Sequence, residues 1–160
     1  YKVIKGNPLF DPNRHTRVQR LYYRPDGTPD FGVPAGAGEI PDRFSPLDRP
    51  EAFLRVEGEA VSVGQGALAT TQLRQKAGAG GVTLEPILRP GQALRVEGGK
   101  VLVGPGDQAS RFKRVKGLAS GKGVSFQALG GGYLMHRDGV VVVGPAADGK
   151  ARAAATFVVS

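Results

Sequence analysis

Phe53-Leu54-Arg55-Val56-Glu57-Gly58, running on to Val61, Val63 and Gly64, is the stretch that decides the fold. It returns as Ala93-Leu94-Arg95-Val96-Glu97-Gly98 with Val103-Gly104, and again as Tyr133-Leu134-Met135-His136-Arg137-Asp138-Gly139 with Val143-Gly144. The anchors Leu54, Leu94 and Leu134 stand forty residues apart. A lead-in repeats as well: Phe44-Ser45-Pro46-Leu47-Asp48-Arg49-Pro50 is echoed by Leu84-Glu85-Pro86-Ile87-Leu88-Arg89-Pro90, and the third copy keeps Phe126. A unit of this length cannot bury its own apolar face, so the copies must pack on one another. Inside each copy apolar residues alternate with polar ones, the period of a strand. Glu57-Gly58, Glu97-Gly98-Gly99-Lys100 and Asp138-Gly139 are hairpin connections. Forty residues hold about four short strands with turns. Propellers have blades of this length but need roughly 4–8 of them. Three such units predict an all-β chain whose main body is a β-trefoil.

The repeats take up residues 42–160 (about 42–81, 82–123 and 124–160), leaving 1–34 as an appendage and 35–41 as a linker. With 40% apolar residues the 160-residue chain can build a real core, and 25 glycines with 12 prolines suit turns better than long helices. There is no cysteine, which excludes disulfides and thiolate metal sites. No apolar run approaches the roughly 18 residues of a membrane span. The chain starts at Tyr1 without Met or a visible signal peptide, as expected for a trimmed piece of something longer.

The formal charge of +8 allows a polyanionic partner. Its one dense cluster is Arg111, Lys113, Arg114 and Lys116, whose single aromatic, Phe112, sits at a core-like place. Proteins that stack nucleic-acid bases interleave aromatics with cations. This chain has no Trp, and the cluster is best taken as a solvated face, with neither nucleic acid nor membrane as partner. Gly117-Leu118-Ala119-Ser120-Gly121-Lys122-Gly123 is one residue short of a phosphate loop and ends in Gly where Ser or Thr should bind magnesium; it is a turn.

Ahead of the repeats, Thr16–Tyr23 alternates as a strand and Arg24-Pro25-Asp26-Gly27-Thr28-Pro29 is a strong turn. Phe31-Gly32-Val33 can return as a second strand. A lone hairpin is marginal in water, so residues 1–35 should be loose or docked on a partner. Asn13-Arg14-His15-Thr16-Arg17-Val18-Gln19 and the following Arg24-Pro25-Asp26-Gly27-Thr28-Pro29-Asp30-Phe31-Gly32 resemble the closing stretch of the catalytic domain of glycoside hydrolase family 43. These are five-bladed propellers acting on arabinans and arabinoxylans. The resemblance implies a last-blade hairpin near the active-site axis, with His15 and Arg17 nearest to substrate; His15 as a turn cap and Arg17 as a surface strand residue fit equally. Its three catalytic carboxylates belong to earlier blades, so the resemblance implies no catalytic residue in this chain and a catalytic propeller chain or domain as partner. No cofactor is implied, although an axial ion of such a propeller would sit near His15. Glycosidic cleavage needs two carboxyls about 5–10 Å apart across the bond, and Asp11, Asp26, Asp30 and Glu39 stand mostly in turns.

In the third copy, Val124-Ser125-Phe126, Tyr133-Leu134-Met135-His136 and Ala155-Thr156-Phe157 resemble the arabinofuranose-binding (AbfB-type) domain, carbohydrate-binding module family 42. That family is a trefoil in which a His and an Asp of each repeat hold one arabinofuranose side chain. The resemblance implies carbohydrate binding by Tyr133 and His136, an arabinose-containing plant polysaccharide as partner, and a secreted or periplasmic location. The Asp place is Ala154, and the other copies have Val56 and Val96 for the His and about Thr70 and Ala109 for the Asp. His136 thus occupies an apolar place of the repeat, as a satisfied half-buried histidine or as a sugar ligand. The chain is therefore expected to be the C-terminal portion of an arabinan- or arabinoxylan-degrading hydrolase. Its trefoil either binds sugar or packs on the propeller. The different-class alternative is a free-standing basic trefoil that binds an acidic polysaccharide or protein through Arg111–Lys116.

Overall fold

The computed structural model describes residues 19–34 and 40–160. Strands β1 (Leu21–Tyr23) and β2 (Pro29–Phe31) precede the repeats. Within the repeats run β3 (Phe44–Pro46), β4 (Phe53–Glu57), β5 (Ala60–Gly64), β6 (Leu73–Gly78), β7 (Gly81–Pro86), β8 (Gln92–Glu97) and β9 (Lys100–Pro105). They are followed by β10 (Phe112–Lys116), β11 (Val124–Ala128), β12 (Tyr133–Arg137), β13 (Val140–Gly144) and β14 (Phe157–Val159). Two short helices, α1 (Leu68–Thr71) and α2 (Gly149–Ala154), and a 3-10 turn at Gln108–Ser110 precede β6, β14 and β10 respectively.

Each repeat forms one internal hairpin, β4–β5, β8–β9 or β12–β13, in matching register: Leu54 opposite Val63, Leu94 opposite Val103, Leu134 opposite Val143. Three antiparallel pairs join neighbouring repeats, β6–β7, β10–β11 and β14–β3. The internal hairpins meet in a triangle in which Ala60 pairs with Leu102, Lys100 with Val142 and Val140 with Ser62. The same triangle recurs in the bonds Val103 N to Glu59 O, Val143 N to Gly99 O and Val63 N to Gly139 O, at 3.0, 2.8 and 2.7 Å. Bridges from Val82 to Phe112, Val124 to Phe157 and Asp42 to Leu73 close the other end. This is a β-trefoil, and the expected fold is the observed one. Closure of the strands on themselves disposes of the open edges that invite aggregation.

The alternation of the repeat explains its core. Leu54, Leu94 and Leu134 are fully buried about the axis, with Val61, Val101 and Val141 beside them. Phe126 fills the rest, edge-on to Phe44 at 5.7 Å and to Phe112 at 6.5 Å between ring centres, with Phe157 at 6.2 Å. Burying each such side chain contributes about 1.5–3 kcal/mol. At the β12–β13 turn, Asp138 (φ 51°) and Gly139 (φ 91°) are both left-handed, the conformation that lets a two-residue turn match strand twist.

The N-terminal hairpin is shorter than its sequence pattern, and it is docked on the trefoil. Leu21 pairs with Phe31 and Tyr23 with Pro29. Gln19 and Arg20 precede the strand, and Thr16–Val18 lie outside the described residues. The return strand ends at Phe31 because the Val33 amide turns away to Gln72 Oε1 of the trefoil, 3.2 Å. Arg20 reaches Asp42 at 2.5 Å, and Tyr22 Oη donates to the Ser160 carbonyl at 3.1 Å. The Arg43 guanidinium lies between the rings of Tyr22 and Phe53, 5.2 and 3.4 Å from their centres. Burial raises the Tyr22 phenol pKa, opposed by Arg20 and Arg43, and lowers that of Arg43. The opposite face of the hairpin, Leu21, Tyr23 and Phe31, stays 47%, 68% and 64% exposed.

Candidate functional site

His136 extends from β12 and is only 6% exposed. Its Nε2 lies 2.9 Å from Oδ1 of Asp48, which sits in the β3–β4 connection of the first repeat. The two residues are 88 apart in sequence, and the pair thus bridges the third repeat and the first. In the tautomer that serves an ionised carboxylate, Nε2 donates to Asp48 and Nδ1 carries the lone pair; Nδ1 is buried and makes no hydrogen bond among the described residues. The pair lines a cleft of about 380 Å³, within the ordinary range for small-ligand pockets.

One wall of that cleft is α2. The sequence starts a helix there because Asp148 Oδ1 accepts from the Ala151 amide at 2.7 Å, and the following Gly-Lys-Ala-Arg-Ala-Ala run contains no β-branched residue. Its far end is held by Thr156 Oγ1, which donates to Arg152 O at 2.8 Å and accepts from the Ala119 amide at 3.1 Å. This places the Ala154 methyl against Met135 on the cleft floor. Arg49, Arg137 and Lys150 stand around the mouth with Asp138 and Asp148. The cleft therefore offers a buried imidazole paired with a partly exposed carboxylate, an apolar floor and a ring of mixed charge, a suitable arrangement for a small neutral ligand rich in hydroxyl groups.

The other two repeats show why there is one such cleft. The turn bonds Arg49 N to Pro46 O, Arg89 N to Pro86 O and Gly131 N to Ala128 O align Asp48 with Leu88 and Gly130. His136 aligns with Val56 and Val96, and Met135 with Arg55 and Arg95. Imidazole and carboxylate are thus both absent there, so no imidazole is left buried without its partner, a state that costs about 1–3 kcal/mol. Each arginine also reaches the loop that follows its own hairpin. Arg55 Nη1 donates to Gln65 O at 2.7 Å, and Arg95 Nη2 meets Asp107 Oδ2 at 3.3 Å. A Cβ on Gly66 would come within 2.6 Å of Arg55 Cδ, and one on Gly104 within 2.7 Å of Arg95 Cδ.

Of the residues singled out from sequence, His136 lines the cleft. Tyr133 lies next to it, lining a shallower depression that shares Pro145 and Ala147 with the cleft. His15 and Arg17 lie outside the described residues. Asp48 was not anticipated. The available signal was a paired departure from the repeat, Asp48 against Leu88 and His136 against Val96. The exposed cations Lys113, Arg114 and Lys116 lie on β10, whose cluster-mate Arg111 bonds Ala79 O. Among the described residues no group of three His, Asp or Glu side chains could hold a metal ion. No helix there is long and apolar enough to cross a membrane.

Comparison with known proteins gives this site a context. The chain is 51% identical over 55 residues to an extracellular exo-α-(1→5)-L-arabinofuranosidase of Streptomyces avermitilis, covering 34% of this chain and 11% of that one. Over part of its length the chain is thus similar in sequence to arabinofuranosidases. It is 42% identical over 81 residues to α-L-arabinofuranosidase 43 of Humicola insolens, and 43% identical over 75 residues to α-L-arabinofuranosidase B of Pyricularia oryzae. Each of these matches takes in 46% of this chain, and 17% and 15% of the respective relative. The chain thus spans less than a fifth of the curated relatives it matches. No protein-family model matches it. Among solved structures, a GH54 α-L-arabinofuranosidase soaked with a cyclic sulfate inhibitor superposes with a TM-score of 0.67 at 12% identity, over 79% of this chain and 32% of that one. An arabinofuranosidase complexed with arabinofuranosyl-α-1,2-xylobiose gives 0.68 at 12% identity, over 79% and 31%. At that identity the likeness concerns the fold.

Proposed function

We propose that this chain is the C-terminal portion of a secreted arabinan- or arabinoxylan-degrading glycoside hydrolase, and that its trefoil is an arabinofuranose-binding module of the AbfB type. The observation that carries this reading is the His136–Asp48 pair, which sets a buried imidazole and its carboxylate partner in one cleft among the described residues. Sugar hydroxyls need donors and acceptors in pairs, and this cleft presents both without net charge. In the resembled family the carboxylate comes from the place of Ala154; here Asp48 would take that role from the first repeat. The names of the relatives support arabinose as the sugar, and the extracellular Streptomyces enzyme supports secretion.

On this reading residues 1–34 close the last blade of a family 43-like propeller that carries out cleavage, with His15 and Arg17 near its substrate, and 35–41 link it to the trefoil. The exposed apolar face of Leu21, Tyr23 and Phe31 fits a surface covered by such a domain. The test is calorimetric titration of the chain with arabinan and arabinoxylan at low salt and at about 0.3 M salt, beside His136→Ala. Binding that ignores salt and is lost in the variant is expected. A second reading, a basic trefoil for acidic polysaccharide, has the exposed Lys113, Arg114 and Lys116 in its favour. It requires binding that collapses at the higher salt, where the screening length is only about 5–6 Å, and that survives His136→Ala.

A further inference from the structure

Tyr133 begins β12 three residues before His136, and its cross-strand neighbour on β13 is Gly144. In an antiparallel pair the opposite side chain is what normally covers an aromatic ring, and glycine has none. The approach is kept clear by Gly131 and Gly132, both at positive φ; a Cβ on Gly132 would press on Val143 at 3.0 Å. The result is an open, mainly apolar depression of about 490 Å³ floored by Tyr133, Val143 and Ala146. It shares Pro145 and Ala147 with the His136 cleft, so the two are continuous across one short rim.

The threefold supplies an internal control. The counterpart of Tyr133 in the first repeat is Phe53, also opposite a glycine, Gly64. There the ring is covered by the Arg43 guanidinium at 3.4 Å. In the second repeat the place is held by Ala93. Among the described residues Tyr133 has neither a cation nor a second aromatic over its ring. The one uncapped aromatic at this position of the fold thus adjoins the one cleft with a polar pair.

We infer that Tyr133 is the platform of a second sugar subsite, which stacks the residue next to the arabinofuranose held at His136 and Asp48, so that the module recognises an oligosaccharide segment and not a single terminal sugar. The inference rests on the arabinofuranose reading of the cleft. Its occupant is a neutral sugar ring, whose C–H face lies flat on an aromatic and whose hydroxyls stay in water; no charged side chain lines the depression itself, and the Arg137 guanidinium stands at its edge beside Gly144.

The test compares methyl α-L-arabinofuranoside with α-1,5-linked arabinotriose and arabinofuranosyl-xylobiose by calorimetry, on the native chain, Tyr133→Ala, Tyr133→Phe and His136→Ala. The native chain is expected to bind at least one oligosaccharide about three- to tenfold more tightly than the glycoside. Tyr133→Ala should erase that difference, with a cooperative urea transition showing that the trefoil is still folded. Tyr133→Phe should keep the difference, and His136→Ala should lose both ligands. Glycoside binding with no advantage for either oligosaccharide overturns the second subsite and leaves the cleft standing. An equal loss of all ligands in Tyr133→Ala and Tyr133→Phe overturns it too, because Tyr133 then serves only the first sugar. No binding of any ligand overturns both readings together.

Discussion

At His136 a single imidazole is held by the neighbouring repeat, which supplies its carboxylate. Removing Asp48 therefore tests two things at once. Asp48→Ala leaves a buried Nε2–H unpaired and should cost about 1–3 kcal/mol of stability, read by urea denaturation. It should also weaken arabinoside binding as much as His136→Ala does, in the same titrations. Asp48→Asn keeps an acceptor oxygen and should fall between the two in both measurements. A variant that loses stability but not binding would make the pair a repeat-to-repeat clasp only. His136 was legible in the sequence because it breaks a repeat; Asp48 was not, because the turn it sits in is polar in any case and nothing local says which strand it will face.

The N-terminal hairpin shows what an element's sequence can and cannot say. Its turn was legible from Arg24 to Pro29: Gly27 is at φ 81°, and Asp26 Oδ1 accepts from the Thr28 amide at 2.9 Å. That bond is the main cause of the lowered Asp26 pKa. Its docking was not legible, because it depends on Gln72, Asp42 and the Ser160 carbonyl, which come together only in the folded trefoil. Docking carries a pH signature. The Tyr22 phenol is raised above its ordinary value of 10.0 by burial. A raised pKa means that the docked state holds its proton more tightly, so this contribution is complete below about pH 10 and is lost as pH rises through the docked value. Phenolate absorbance should therefore show a phase extending above the usual range. Tyr22→Phe should remove that phase; its persistence in the variant would disprove the assignment.

Over the whole molecule the threefold repeat fixes both strength and function. Leu54, Leu94 and Leu134 occupy one environment three times over, so truncating any of them to Ala should cost about 2–5 kcal/mol in denaturant unfolding. A cost far smaller at one of them would mean that its repeat packs independently. The fold was legible because the core depends on spacing, which a forty-residue period displays openly. Function is different, because it depends on where the copies disagree. Arg55 and Arg95, read along the chain, are ordinary strand arginines; only the closed trefoil shows them lying where Met135 floors a cleft.

The confinement of the His136–Asp48 pair to one cleft has a consequence for how the molecule would behave on a polymer. A trefoil with three equal clefts could hold three branches at once and cross-link neighbouring chains, with an avidity far above that of any single cleft. With the imidazole–carboxylate pair in one cleft alone, this one would be monovalent. It would let go after each encounter, and any lasting attachment to a wall fibre would have to come from a second binding surface on the same polypeptide.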